Sequence, residues 1–306
     1  MKRYLAGRLF DAAVAVWGIV TIVFFVTRLG GDPALLLLPT GASEAQLVEL
    51  RSALGLDQPL ATQYLHFLRG VVTGDFGQSF QQMRPALDVV LERLPATALL
   101  ASAALTVGVL LGGITGFVAA KHRGTMFEFV AMLLALLGQA TPVFWLGLML
   151  IMVFAVDLGW LPTGGYGGWA NLVLPALTLA TFTSASITRL LRSRMVEILQ
   201  EDYVRTAWAK GLRSRIVYLR HVMRNALIPV VTMIGILAGE LLGGSVIIET
   251  IFAWPGVGRA IIQAVQANDF PVVQAGVTLI ACIYVVINLA VDLTYGILDP
   301  RIRIAR

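Results

Sequence analysis

The side chains that could do chemistry stand in two places. One is a lone carboxylate, Glu240, inside an otherwise charge-free apolar run from Asn225 to Ile248. The other is a charged stretch from Arg189 to Arg224, RLLRSRMVEILQEDYVRTAWAKGLRSRIVYLRHVMR. A carboxylate at membrane depth costs about 2.5–3.5 kcal/mol on insertion scales, so Glu240 is expected to face the helix bundle or a cavity. There it could line a translocation path or pair with a neighbouring subunit. Gly235, Gly239 and Gly243 recur every four residues beside it and predict close helix packing on that side. Asp292 and the Asp299-Pro300-Arg301 step suit interfacial hydrogen bonding near the end of the last apolar run.

Enzymatic chemistry finds no support. The chain holds no GxxxxGK[ST] phosphate loop, no HExxH and no GxSxG, so it does not hydrolyse ATP by itself. Its one cysteine, Cys282, lies in an apolar run, suits helix packing and excludes an intrachain disulfide. His66, His122 and His221 fall in three separate segments, which predicts no bound metal, although a transported metal could pass without such ligands.

The elements that must position these groups are membrane helices. Of the 306 residues 58% are hydrophobic and 13% charged, where a soluble domain carries about 25% charge. Mean hydropathy is +0.81, and the apolar residues lie in runs long enough for a bilayer core of about 30 Å. Charge-free stretches at Ala12 to Thr27, Pro95 to Ala120, Phe129 to Val156, Leu158 to Thr188, Asn225 to Ile248 (save Glu240) and Phe270 to Val291 predict six spans. The first is followed by TRLGGDPALLLLP rather than a small-residue cleavage site and is expected to remain as an anchor. GWLPTGGYGGWAN at the start of the fourth run reads as an interfacial loop, with the helix starting near Leu172 and Trp160 and Trp169 at headgroup level. Gly108, Gly112 and Gly116 read as packing glycines.

Six spans place both termini on one side. Seventeen Lys and Arg residues then fall on that side: Lys2, Arg3, Arg8, Lys121, Arg123, nine between Arg189 and Arg224, Arg301, Arg303 and Arg306. Six fall on the other: Arg28, Arg51, Arg69, Arg84, Arg93 and Arg259. The positive-inside rule makes both termini cytoplasmic, and the net charge of +5 becomes a matter of topology and lipid contact, not of nucleic-acid binding.

The outside segment between the first two spans is too long for a connector and should be folded. Ser43 and Gln46 form a capping box ahead of a helix with Leu47, Leu50 and Leu54 on one stripe and Gly55 as its stop. A second helix should run from near Pro59, with Leu60, Tyr64, Phe67, Leu68 and Val71 on an apolar face and Gly74 as its breaker. These helices are expected to cap the membrane domain; helping to dock an external partner is the sharper reading.

In the charged stretch, Tyr203, Ala207, Trp208 and Leu212, then Ile216, Val217 and Leu219, predict short amphipathic helices broken at Gly211. A polybasic loop resting on anionic headgroups is the plain reading. Against it, small Ala207 and Gly211 beside Tyr203 and Trp208 suit a knob for another protein's groove.

EDYVRTAWAKGL followed by RHVMRNALIPVVT resembles the cytoplasmic signature of inner-membrane permease subunits of ATP-binding-cassette importers, in the dipeptide/oligopeptide/nickel group. GDPA near Asp32, LGLDQPLATQYLHFLRGVVTGDFGQSF, LGWLPTGGYG, GGSVIIETIFAWPGVGR and LAVDLTYGILDPRIR match that group in order, most like its first, B-type permease. In the looser EAAxxxG pattern of importer permeases, Arg205, Thr206, Ala207 and Gly211 take the E, A, A and G places. His221, Met223 and Arg224 stand where the general pattern has Ile, Leu and Pro, as fits the peptide/nickel subgroup.

The resemblance implies an all-α permease of the bacterial inner membrane, with residues 1–94 forming the first span plus the extracytoplasmic helices and 95–306 a five-helix core. It implies a second homologous permease, two cytoplasmic ATPases that hold ATP and Mg, and an external substrate-binding protein. This chain would carry no cofactor. Glu201, Asp202, Tyr203, Arg205, Thr206, Ala207, Lys210, Gly211 and Leu212 would form the ATPase-coupling element. The cargo would be peptides, or alternatively nickel or glutathione-like compounds. A secondary transporter would carry several midplane ionisable residues and internal repeats, whereas this sequence has one such residue, Glu240, and no clear repeat. An intramembrane enzyme would need a nucleophile with its base, or a metal cluster, inside the spans.

Overall fold

The computed structural model describes residues 2–29, 34–35, 43–53 and 55–298, with the side chains of 2–6, 29, 244 and 292–298 left aside. Asp32, Leu54, Asp299, Pro300, Arg301, Arg303 and Arg306, together with the Asp292 side chain, lie outside what is described.

The chain is helical. Its elements are α1 (Lys2–Leu29), α2 (Glu44–Ala53), α3 (Leu60–Thr73), α4 (Ala86–Leu91), α5 (Leu94–Lys121), α6 (Met126–Ala140) and α7 (Val143–Leu150), which winds on as a π-helix over Ile151–Asp157. Then come α8 (Trp169–Ile198), α9 (Asp202–Ala209), a π-helical stretch Val217–Met223, α10 (Arg224–Ile251), α11 (Val257–Gln266) and α12 (Phe270–Leu298). Among the described residues, five helical stretches are long and apolar enough to cross a membrane, or six with the α6–α7 pair as one span.

That pair differs from the straight helix expected over Phe129 to Val156: its halves meet at 105°. The cause is local. Pro142 disfavours helical backbone at the residue before it, and Thr141 is extended at φ −75°, ψ 126°.

The helices sort into two compact units, Met1–Thr97 with Pro255–Leu289, and Ala98–Trp254 with Ala290–Arg306. In the first, the capping box forms as expected: the Ser43 N–H donates to Gln46 Oε1 at 2.9 Å and the Gln46 N–H returns to Ser43 Oγ at 3.4 Å. α3 ends at Gly74, whose φ of 77° suits a residue without Cβ. Tyr64 and Phe67 of α3 meet the buried ring of Phe24 on α1 at 5.3 and 5.4 Å, while Leu60, expected on that face, is exposed. The Tyr64 and Thr21 hydroxyls hydrogen-bond at 2.7 Å.

An interaction that joins distant sequence closes this unit. Asp269, 2% exposed, accepts the Ser79 hydroxyl and the N–H groups of Phe80 (3.1 Å) and Gln81 (3.3 Å), so the loop after α3 is pinned to the turn between α11 and α12. Three donors satisfy a carboxylate that burial would otherwise penalise. Beneath it Val89, Val90, Val257, Val272 and Ala275 make a small core.

The second unit is built on α8, which packs against α10, α6 and α7. The glycine stripe of α5 makes this possible on a further side. A Cβ on Gly112 would come within 2.6 Å of the Ser184 carbonyl oxygen, and one on Gly116 within 2.9 Å of that of Thr188. The backbones therefore touch directly, and the Thr115 and Thr188 hydroxyls bond across the contact. The glycines of α10 do not form one such stripe: Gly235 is filled closely by Val291, whereas nothing lies within 4 Å of a Cβ at Gly243. At the far end of α10, Phe252 and Trp254 are buried; the Gly165 N–H donates to the Phe252 carbonyl at 2.8 Å, and Tyr166 meets Trp254 edge-on at 4.9 Å. Trp160 and Trp169 are exposed around that loop.

Candidate functional site

α9 forms where its sequence supplies both ends. Glu201 is extended at the N-cap, Asp202 places a negative charge in the first turn, and Thr206 ties its hydroxyl to the Asp202 carbonyl at 2.9 Å. The stop is a Schellman turn: the Gly211 N–H donates to the Trp208 carbonyl (2.9 Å) and the Leu212 N–H to that of Ala207 (3.3 Å). Gly211 sits at φ 72°, a conformation that costs most L-residues about 1–2 kcal/mol.

The two faces of α9 differ. Val204 and Ala207 are buried against Met195, Val217 and Val222. Glu201, Asp202, Tyr203, Arg205, Thr206, Lys210 and Gly211 are exposed, and Leu212 is half-buried. Ala207 is thus not part of an outward knob: its small side chain lets α9 lie close on its own protein. Gly211 shapes the turn that follows. Arg205 and Asp202 approach to 3.5 Å with both side chains largely in solvent, a pair that contributes little.

Two contacts fix the outward face. The Asn225 amide donates to the Tyr203 hydroxyl at 2.9 Å, joining α9 to the start of α10. Trp208 meets Tyr218 edge-on at 6.4 Å, and Tyr218 meets Phe117 of α5 at 6.2 Å. α9 is thus tied to α5 through packed rings and to α10 through the Tyr203–Asn225 hydrogen bond. Tyr218 was missed in the sequence, where a period of 3.6 placed Ile216, Val217 and Leu219 together. The π-helical winding changes that period, burying Val217 and Val222 and leaving Ile216 and Leu219 exposed.

Sequence reasoning also missed an ion pair elsewhere in this unit. Glu128 accepts the Gly124 N–H at 2.6 Å and the Arg192 Nε at 2.7 Å, holding α6 to α8 from a mostly buried position. Glu249, fully buried on α10, accepts the Ser245 hydroxyl at 3.2 Å.

Glu240 does not face the interior of this chain. It is exposed, on a strip of α10 with Ile236, Gly243 and Ile247, spaced about one turn apart. Nor does the structure bring it together with α9: Glu240 lies fifteen residues after Asn225, the α10 residue bonded to Tyr203, about 22 Å by helical rise. Among the described residues no three His, Cys, Asp or Glu side chains cluster as a metal site would require.

A helical bundle with a short exposed helix strapped between two candidate spans is the architecture of a polytopic membrane protein. The chain belongs to the family of binding-protein-dependent transport system inner membrane components, whose model matches residues 108–304, with the N-terminal model of the same family matching 1–101. It is 42% identical over 305 residues, 99% of both chains, to the glutathione transport system permease protein GsiC of Escherichia coli strain K12. The GsiC protein of Pectobacterium atrosepticum is 41% identical over 304 residues, again 99% of each. In fold it resembles an amino acid ABC transporter (TM-score 0.54, 20% identity, 70% of this chain and 94% of that one). It also resembles the inward-facing MetNI methionine ABC transporter (TM-score 0.57, 16% identity, 69% and 96%). The chain is a multi-pass membrane protein and a permease subunit of an ABC importer.

Proposed function

We propose that this chain is the B-type permease of an ATP-driven importer of small peptides, glutathione-like compounds included, and that α9 couples it to an ATPase. The supporting observation is the two-faced build of α9, with Val204 and Ala207 packed inward and Asp202, Tyr203, Arg205, Thr206 and Lys210 offered outward. A rigid short helix tied by rings to α5 and by Tyr203 to α10 is the lever that alternating access needs. Residues 95–306 form the importer core in this reading, and 1–94 supply the first span with its external helices. The complex has a second permease, two ATPases that hold ATP and Mg, and an external binding protein. The 42% identity to glutathione permeases supports a peptide-type cargo over nickel.

In the membrane, both termini and α9 are cytoplasmic and the Asp269-pinned loop is external, with seventeen cations on the α9 side against six on the other. A cysteine at Gln81 is expected to react with an impermeant reagent in intact cells, and one at Gly211 only after the cells are opened. Labelling of the Gln81 position only in opened cells would overturn the orientation and remove α9 from the reach of an ATPase.

A further inference from the structure

A cavity of about 470 Å³ opens in the second unit between α6, α8 and α10, lined by Gln139, Ser186, Arg189, Arg192, Ser193 and Met233. Its volume lies within the roughly 300–1,000 Å³ of small-molecule sites, and its polar groups come from α6 and α8, with Met233 of α10 as an apolar wall. The charges inside are not balanced. Arg192 is neutralised by Glu128, while Arg189 donates to the neutral amide oxygen of Gln139. The cavity therefore presents one net guanidinium with the Ser186 hydroxyl beside it, a donor pair that suits a carboxylate, while the Ser193 hydroxyl already donates to Glu197 at 3.3 Å.

Its place along the membrane fits a path. Arg189 lies twenty residues after Trp169 on the same helix, about 30 Å by helical rise and thus one hydrocarbon thickness away. Glu240 lies seven residues beyond Met233 on α10, two turns on and on one helix face, so the cavity and the candidate path share that face.

Resting on the importer reading above, we propose that Arg189 and its cavity form the exit-side subsite of the permease, where the carboxylate of a small peptide pauses before release to the cytoplasm. Gln139 positions the guanidinium, and the Arg192–Glu128 pair holds the wall without competing for the anion. An anionic phospholipid headgroup shares this chemistry, so the test must separate the two sources.

The assembled complex, purified without nucleotide or binding protein, is titrated with radiolabelled glutathione. Wild type is expected to bind it, Arg189→Gln to weaken binding by roughly tenfold or more, and Arg189→Lys to retain most of it, with the second permease still present in all three. Glutathione with both carboxylates amidated should not compete. Absent binding in wild type, unchanged binding in Arg189→Gln, displacement of the label by phosphatidylglycerol alone, or loss of the second permease from the variant would each overturn the subsite. ATP-driven uptake by the wild-type complex is read separately: uptake without exit-side binding removes the subsite only, whereas no uptake of any peptide removes the peptide-cargo reading on which the subsite rests.

Discussion

Gly211→Trp is expected to lower uptake at least tenfold while the membrane helices remain folded, a loss of about 1.4 kcal/mol or more in coupling. Two features of the turn set this apart from a generic lesion. No atom lies within 4 Å of a Cβ at Gly211, so the chain itself has room for the new side chain. The φ of 72° adds about 1–2 kcal/mol of local strain, which α9 bears through its buried Val204 and Ala207. The indole then projects from the end of the outward face and overfills the contact with the ATPase. Gly211→Asn is the control, since Asn tolerates the left-handed region and adds little bulk; it should retain most of the uptake. Uptake, ATP hydrolysis and ATPase co-purification measured on the same membranes decide the matter. Normal assembly with normal uptake in Gly211→Trp would remove α9 from the coupling mechanism.

The second large effect is expected at Glu240. A carboxylate left facing lipid costs about 2.5–3.5 kcal/mol, which the apolar residues of α10 can offset on insertion, so Glu240→Gln should express normally. Its exposed strip with Ile236 and Ile247 must then be covered by water or by the second permease in the complex. If it lines the path, Glu240→Gln changes uptake severalfold and leaves the heterodimer intact. If it pairs with a cation of the second permease, the variant strands that cation and the heterodimer weakens in detergent. Unchanged uptake with unchanged assembly sinks both roles.

The elements that local chemistry decides were legible in the sequence. Ser43 and Gln46 announce their capping box, Gly74 and Gly211 mark left-handed stops, and the α5 glycines foretell backbone contact. What composition cannot report is direction. The run from Phe129 to Val156 counts as one apolar span, yet Thr141-Pro142 turns the chain through 105° inside it. Pro142 was the signal, and a count of charge-free residues does not weigh it. Long-range polar partners were beyond reach for a different reason. Asp269 and Ser79 are 190 residues apart, and Glu128 and Arg192 are 64 apart, so no spacing rule connects them. At α9 the helix and its stop at Gly211 were legible, but not which way its residues face. Ala207 read as an outward knob because a small residue between aromatics suits a groove; in the fold that smallness serves the packing against Val217 and Val222. For Glu240, cost alone implied a place facing the bundle or a cavity, and a single chain does not supply the cover.

ATP-driven uptake tests the central claim most directly. Vesicles containing this permease, the second permease and both ATPases, supplied with the loaded binding protein, should accumulate radiolabelled glutathione or a short peptide only when ATP is present on the α9 side. Dissipating the proton and sodium gradients should leave the rate unchanged. Accumulation that needs an ion gradient and proceeds without ATP would contradict the account and make the chain a secondary transporter.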